Sequence, residues 1–583
     1  MNFGDYEILG KKILIRIQSR VCETPEELLN SDIFRAVVRR GIEELKRRNS
    51  FLLGIFTDLN SIDREIPLLF RAFEFLAKMP GKLLSNVLPD AKIFMRDPAL
   101  FNDFVEYLYN YWRSFDRFIL CDSTGADLDQ RPYRTFNGTI EQVTHLVRGV
   151  YRDIQENITS VCPRIYRQVR AGAEVSAISI PKSVDFPGPQ YGKLNNISLI
   201  RHILLYPPLI LNPSMNKRTG KFIRIEKNPL DLADIDPRDW LCYPAKVGTL
   251  LIHIYFHKTF IELGFSLCNL FKLADDQELE KRPDAVYLFG VPGNSLDGLA
   301  EFPTVFYEDT KNDILVAACP NRPEFGYFGY LKKMALTLHN IKMMRQGNLP
   351  FHGALVRILL KGGKGGTVLF IGDTGAGKSE TLEALNELGK ESIRDLVIIA
   401  DDMGSLQMDD KGDVLGFGTE IGAFLRLDDL KPGYAFGQID RAIIMSPTQI
   451  NARIILPVTT YENVIKGQKI DMVLYANNYE DIDDEHPLLE KFERPEDALK
   501  VFREGAVMSK GTTTSTGIVH SYFANVFGPP QYKELHEPLT RKFFDAFFRK
   551  GIFVGQIRTR LGLSGWERKG AEEAAEKLLE LIK

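Results

Sequence analysis

Apolar positions at helical spacing dominate the first part of the chain. In DIFRAVVRRGIEELKRRN (32–49), Ile33, Val37, Ile42 and Leu45 fall near one face, while Arg39, Arg40, Lys46, Arg47 and Arg48 fall elsewhere. That pattern predicts an amphipathic helix with a solvated basic face. FVEYLYNYWRSFDRFIL (104–120) is aromatic at helical spacing, which predicts packing in a core or an interface. From about residue 175 prolines and short β-branched runs appear, as in VSAISIPKSVDFPGPQYG, and predict irregular mixed α/β structure with strand segments. From about 351 the apolar runs GALVRILL, GTVLFIG, DLVIIADD, RAIIMSP, ARIILPV and DMVLYANN predict strands, and GAEEAAEKLLELIK predicts a closing helix. The most apolar stretch, VGTLLIHIYFHKTFIELGF (247–265), is interrupted by His253, His257, Lys258 and Glu262. It predicts a buried strand or helix rather than a membrane span.

A chain of 583 residues exceeds one ordinary core, so several domains are expected. The texture suggests three parts: a helix-rich region at 1–175 with no role read from its sequence, a mixed α/β lobe at 176–350, and a lobe built on a glycine-rich loop at 351–583. The fold class expected is α/β, with a mixed sheet and helices around that loop. No internal repeat or low-complexity tract is visible. Net charge is −3, so no bulk basic field points to nucleic acid. Six scattered cysteines without a Cys-x-x-Cys pair argue against a disulfide framework and a zinc ribbon. With no apolar leader in MNFGDYEILGKKILIRIQSR, the expected location is cytoplasmic.

The chemistry is concentrated in FIGDTGAGKSETLEAL (370–385). Glycines at 372, 375 and 377 let successive N–H groups of Gly372, Asp373, Thr374, Gly375, Ala376 and Gly377 point into one hollow, and the following helix adds its positive end. Lys378 supplies a cation for a terminal phosphate, and the Ser379 hydroxyl can ligate a divalent metal. Such loops need an acid on a nearby strand, and DLVIIADDMGSL offers Asp401 and Asp402. One of them can face a metal, while the other orients a water or accepts a proton.

These residues resemble the phosphoenolpyruvate carboxykinase superfamily, and the loop with its ADD segment is also similar to bacterial HPr kinase/phosphorylase. The carboxykinase resemblance runs from about Tyr327 to the C-terminus. It implies that in YFGYLKKMALTL Tyr327 lies near substrate and Lys333 is a metal ligand, which requires a neutral amine. It implies a metal-binding His352 in LPFHGALV, with Asp402 and Ser379 completing the metal residues. Arg453 in NARIILPV would bridge substrate and transferred phosphoryl group, a task for a forked cation. REGAVMSKGTTTSTG (503–517) resembles the family's active-site lid, and Arg218 in MNKRTGKFIRI is the candidate for gripping a substrate carboxylate.

Two departures matter. No arginine lies between Lys510 and Arg541, where nucleotide-using members hold base and ribose, and Phe424 stands in the segment where the family carries a lysine. A donor smaller than a nucleotide needs only the retained phosphate and metal residues, and pyrophosphate is the natural candidate. The leading expectation is a pyrophosphate-linked carboxykinase interconverting oxaloacetate and phosphoenolpyruvate with Mg2+ or Mn2+. The alternative is a pyrophosphate- or nucleotide-dependent small-molecule kinase, such as an L-serine kinase giving O-phosphoserine, with Asp401 as base. Less favoured are an HPr-type protein-serine kinase and a non-catalytic phosphate-binding protein. Small-molecule partners are expected, without nucleic acid or membrane, and the oligomeric state is open.

Overall fold

A computed structural model of the chain describes residues 5–18, 20–125, 127–219, 221–427, 430, 438–509, 517–566 and 569–583. It is mixed α/β, with helices and mixed sheets. The chain divides into two compact units: residues 1–182 with 198–209, and residues 183–197 with 210–583. The break expected near 175 falls at 182, but 176–350 and 351–583 lie in one unit apart from short excursions.

The first unit holds more than helices. Asp5–Leu9 and Lys12–Ile17 form a hairpin, with Gly10 at φ +63° in its turn. Lys12–Ile17 then pairs in parallel with Asp116–Asp122, which pairs in parallel with Val175–Ile180, and Leu199–Leu205 pairs antiparallel with the last of these. The helix-rich expectation for 1–175 therefore missed a sheet. KILIRI alternates with the two-residue period of a strand, so Ile13, Ile15 and Ile17 share one buried face. Helices Asp32–Arg47, Ile62–Leu76, Pro98–Arg113 and Phe136–Thr159 pack their apolar stripes into the same core. Ser31 and Asp97 cap two of them by accepting from the Phe34 and Leu100 N–H groups. The aromatic run at 104–120 is helical only to Arg113, and its second half is the strand from Asp116. The basic face of Asp32–Arg47 is solvated, with Lys46, Arg47 and Arg48 paired to Glu43, Glu44 and Asp63.

The second unit holds two larger sheets. In the first, Trp240–Val247, Leu250–His257, Ala285–Val291, Ile314–Pro320, Thr304–Asp309 and Phe222–Arg224 lie side by side. The stretch at 247–265 is the buried strand Leu250–His257 followed by the short helix Ile261–Ser266, and among the described residues no helix is long and apolar enough to cross a membrane. Helix Phe328–Arg345 is buried on nearly every side, so its sequence shows almost no amphipathic stripe.

The second sheet runs Gln468–Lys469, Val414–Gly418, Met403–Met408, Leu349–Leu360, Gly365–Ile371, Met472–Asn477, Phe553–Arg558 and Leu489–Lys491, with Ile393–Ala400 also on Leu349–Leu360. Every strand expected after 351 is present, and the closing helix spans Lys569–Ile582. Of the expected lid at 503–517, a helix ends at Glu504, and Ala506–Ser509 pairs antiparallel with Gly517–His520. Residues 510–516 lie outside the described residues.

Three histidines of this unit, His253, His339 and His536, are buried. Burial pushes His253 down to about 3, and His339 and His536 down to about 4. The unfolded chain takes up a proton at each below about 6.5, and the folded chain does not until far lower. Stability is therefore complete above that pH and is expected to fall as pH drops, by roughly 2 kcal/mol per histidine at pH 5. Urea unfolding at pH 7 and pH 5 measures this, and equal midpoints would contradict it.

Candidate active site

Strand Leu349–Leu360 organises the site. Its later part pairs with Ile393–Ala400 and its first part with Met403–Met408, and the change of partner falls at Asp401 and Asp402. The Gly353 N–H donates to the Asp402 carbonyl at 2.9 Å, which places the Asp402 side chain beside His352. On its other side the strand pairs antiparallel with Gly365–Ile371, from Gly353↔Ile371 onward. The strand that delivers the glycine loop is thus the hairpin partner of the histidine's strand.

The loop runs from Gly372 to Gly377, and helix Lys378–Leu388 begins directly after it. Gly377 has φ +101°, and a side chain there would meet Thr559 at 2.7 Å. Only glycine allows that turn and that approach. The Thr559 hydroxyl donates to the Ala376 carbonyl at 2.8 Å, and Asn478 Nδ2 donates to the Gly375 carbonyl at 3.0 Å. Two neighbouring strand ends therefore hold the loop from behind. Lys378 is buried, and its Nζ donates to the Gly372 and Asp373 carbonyls at 2.5 and 3.0 Å. Burial lowers its pKa, against the pull of Asp402 and Asp373. Ser379 and Thr374 are exposed, and Asp373 Oδ2 accepts from the Ser521 hydroxyl at 3.4 Å.

Around Asp402 the charges interlock. His352 Nδ1 lies 2.5 Å from the Ala524 carbonyl, which can only accept, so Nδ1 carries the proton. Nε2 then faces Asp402 Oδ1 at 2.9 Å. That nitrogen and the carboxylate thereby converge on one point, which a shared proton or, in its place, a metal cation satisfies. The Ala524 carbonyl is set by an unusual backbone: Phe523, Ala524 and Asn525 all have positive φ, at 45°, 54° and 62°. Such conformations cost free energy at non-glycine residues and collect at functional sites.

Lys332 and Lys333 are adjacent on helix Phe328–Arg345 and meet different environments. Lys332 Nζ lies 2.8 Å from Asp402 Oδ2 and 3.0 Å from Glu420 Oε1. Burial pulls Lys332 down, but Asp402 and Glu420 outweigh it and hold the ammonium above its ordinary pKa. Lys333 Nζ lies over the Phe527 ring at 4.9 Å, and burial followed by the Arg218 charge lowers it to about 8. Burial favours neutral Asp402, but Lys332 and His352 outweigh that and hold it well below the usual carboxylate range. Asp401 is raised by burial and then by Asp402, and Glu420 is raised to about 7 by burial against Lys332.

A second group adjoins. Tyr327 caps the same helix and is hydrogen-bonded to Arg453, and burial raises its pKa against that cation. Arg453 starts strand Arg453–Pro457, and its guanidinium lies 5.4 Å from the Phe424 ring, which lies 6.0 Å from the Tyr327 ring. Arg218 lies over Phe222 at 5.0 Å, and burial lowers its pKa against Tyr330 and Tyr327. Its loop is fixed by side chain to main chain bonds: Tyr330 Oη with Thr219, Asn216 with the Ile450 carbonyl, and Asn451 with the Asn216 carbonyl. The last two tie the Arg218 loop to the turn before Arg453.

All the residues singled out from the sequence lie in the second unit, and electrostatic contacts connect Arg218, Tyr327, Lys333, Lys378, Asp401, Asp402 and Arg453. Sequence reasoning missed Glu420, Ala524, Phe527, Asn478 and Thr559. Glu420 had a signal, an isolated acid within the otherwise uncharged GFGTEIGAF. The others act through a carbonyl, a ring, a side-chain amide or a buried hydroxyl, which no local pattern marks.

Among the described residues, no three His, Cys, Asp or Glu side chains are grouped to hold a metal. A donor set of Lys333, His352 and Asp402 would need Lys333 as a neutral amine, and the lowered Lys333 pKa and the converging His352–Asp402 pair fit that requirement. A scan against protein-family models and a search of the curated proteins return no match to this chain.

Proposed function

We propose that the chain is a metal-dependent phosphotransferase of phosphoenolpyruvate carboxykinase type, with pyrophosphate as donor. The observation that carries the reading is the convergence of His352 Nε2 and the Asp402 carboxylate on one point beside the half-buried Lys333 and the buried Lys378 of the loop. Lys333, His352 and Asp402 would hold one divalent cation, and Ser379 one that accompanies the donor. Such a metal supplies Lewis-acid stabilisation of the oxygen on which negative charge develops.

The chain's own groups do the rest. The loop N–H groups and the helix end cradle the donor phosphates, and Lys378 neutralises the charge that builds on the leaving phosphate. Arg218, Tyr327 and Arg453 hold the carboxylate of the acceptor, and Arg453 reaches from acid to phosphoryl group. In the forward direction oxaloacetate loses carbon dioxide, the resulting enolate oxygen takes a phosphoryl group from pyrophosphate, and inorganic phosphate leaves.

A second reading keeps the donor and changes the acceptor to a hydroxyl on a small carboxylic acid such as L-serine. Asp401 favours it, because a second carboxylate next to Asp402 provides the proton acceptor that a hydroxyl needs. The test is a matrix of donors (pyrophosphate, ATP, GTP, ADP) against acceptors (oxaloacetate, L-serine), followed by phosphorus NMR. The expected result is phosphoenolpyruvate from pyrophosphate and oxaloacetate. Phosphoserine without phosphoenolpyruvate would replace the first reading by the second, and turnover of nucleotides alone would overturn the donor.

A further inference from the structure

Glu420 belongs to none of the roles above, yet it is among the most deeply buried charged groups near the site, with 3% of its surface exposed. Its Oε1 lies 3.0 Å from Lys332 Nζ, and the Thr419 hydroxyl lies 3.0 Å from its Oε2 and 2.9 Å from the Met403 carbonyl. Lys332, 2% exposed, therefore stands between two carboxylates, Asp402 at 2.8 Å and Glu420 at 3.0 Å. Asp402 is claimed from both sides, by Lys332 at Oδ2 and by His352 at Oδ1.

A cation that binds Asp402 competes with the Lys332 ammonium for the same carboxylate. A buried ammonium cannot simply be released, because an unpaired buried charge costs several kcal/mol. It needs a second carboxylate within reach, and the arrangement supplies one at nearly equal distance. We propose that Glu420 is a positioning residue: it takes over Lys332 as a counter-ion and so frees Asp402 for the divalent cation. The proposal rests on the metal reading of His352, Asp402 and Lys333 and adds to it a residue that touches neither cation nor substrate.

The bland alternative is that Glu420 merely neutralises Lys332 and supports packing. A double-mutant cycle on the full chain separates the two, with Mn2+ affinity measured by calorimetry and by electron paramagnetic resonance. The four proteins are the unsubstituted chain, Glu420→Gln, Lys332→Met, and the double variant. Glu420→Gln leaves Lys332 with Asp402 alone and is expected to weaken Mn2+ binding about tenfold or more, the range seen when groups behind a ligand are altered. Removing the competing ammonium in the double variant is expected to restore affinity at least to that of the unsubstituted chain, and Lys332→Met alone to bind no more weakly. Unchanged affinity in Glu420→Gln overturns the proposal, and so does a double variant as weak as Glu420→Gln, which would reveal a packing defect. If Glu420→Gln does not fold, weakened binding by Lys332→Met overturns it equally. Absence of Mn2+ binding by the unsubstituted chain overturns the metal reading itself, a result distinct from all of these.

Discussion

Lys378→Ala is expected to lower phosphoryl transfer about a thousandfold or more, while the protein still folds. The side chain is buried in the loop, and its ammonium donates to the Gly372 and Asp373 carbonyls. Its removal leaves the strand, the turn at Gly377 and the contacts from Thr559 and Asn478 in place. On the proposed reading the loss is that of the cation aimed at the charge that builds on the leaving phosphate, and groups of that kind carry two to five decades of rate. Lys378→Arg is expected to rescue little, because a planar fork does not fit the space of a compact ammonium between two carbonyls. The measurement is kcat beside a thermal melt. Activity within tenfold of the unsubstituted chain would remove the loop from the chemistry.

Asp402→Ala is expected to produce two losses at once. Cation binding is expected to go because one of the three proposed donors goes. Stability also falls, by about 1 to 3 kcal/mol, because His352 loses the carboxylate it faces at 2.9 Å and Lys332 is left with Glu420 at 3.0 Å. The companion variant Asp402→Asn separates these effects. It keeps shape and hydrogen-bonding capacity, so it is expected to recover part of the stability while cation affinity stays low. Isothermal calorimetry with Mn2+ and urea unfolding report the two quantities independently. A variant that binds Mn2+ as the unsubstituted chain does would show that Asp402 is a structural acid.

Legibility from sequence followed local regularity. The strands after residue 351 read correctly because each is a short apolar run bounded by turn residues, and the loop read correctly because its glycines, lysine and flanking strand and helix are contiguous. The first strands failed for a related reason. DYEILGKKILIRI is a hairpin whose partner strand, Asp116–Asp122, lies a hundred residues away, behind several strong helices. The run at 104–120 failed at its middle, because aromatic residues suit a helix and a strand alike and only Ser114 marks the break. Helix Phe328–Arg345 carries no readable stripe because it is buried all round, so its lysines could not be assigned a face.

The sequence by itself determined the α/β class of the chain, the strands and helices around the glycine loop, and a short roster of residues whose chemistry suits phosphate and metal. Spacing and residue type suffice for those, because each is a local property of the backbone or of one side chain. Tertiary structure alone decided how the roster differs from residue to residue. Lys332 and Lys333 are identical and adjacent in sequence, yet one is held charged between Asp402 and Glu420, and the other is driven toward neutrality over Phe527 beside Arg218. A pKa depends on desolvation and on charges brought near by distant segments, and both arise only once the chain has folded. The same holds for His352, whose protonated nitrogen is set by a carbonyl at Ala524 that reaches it through three residues of left-handed backbone.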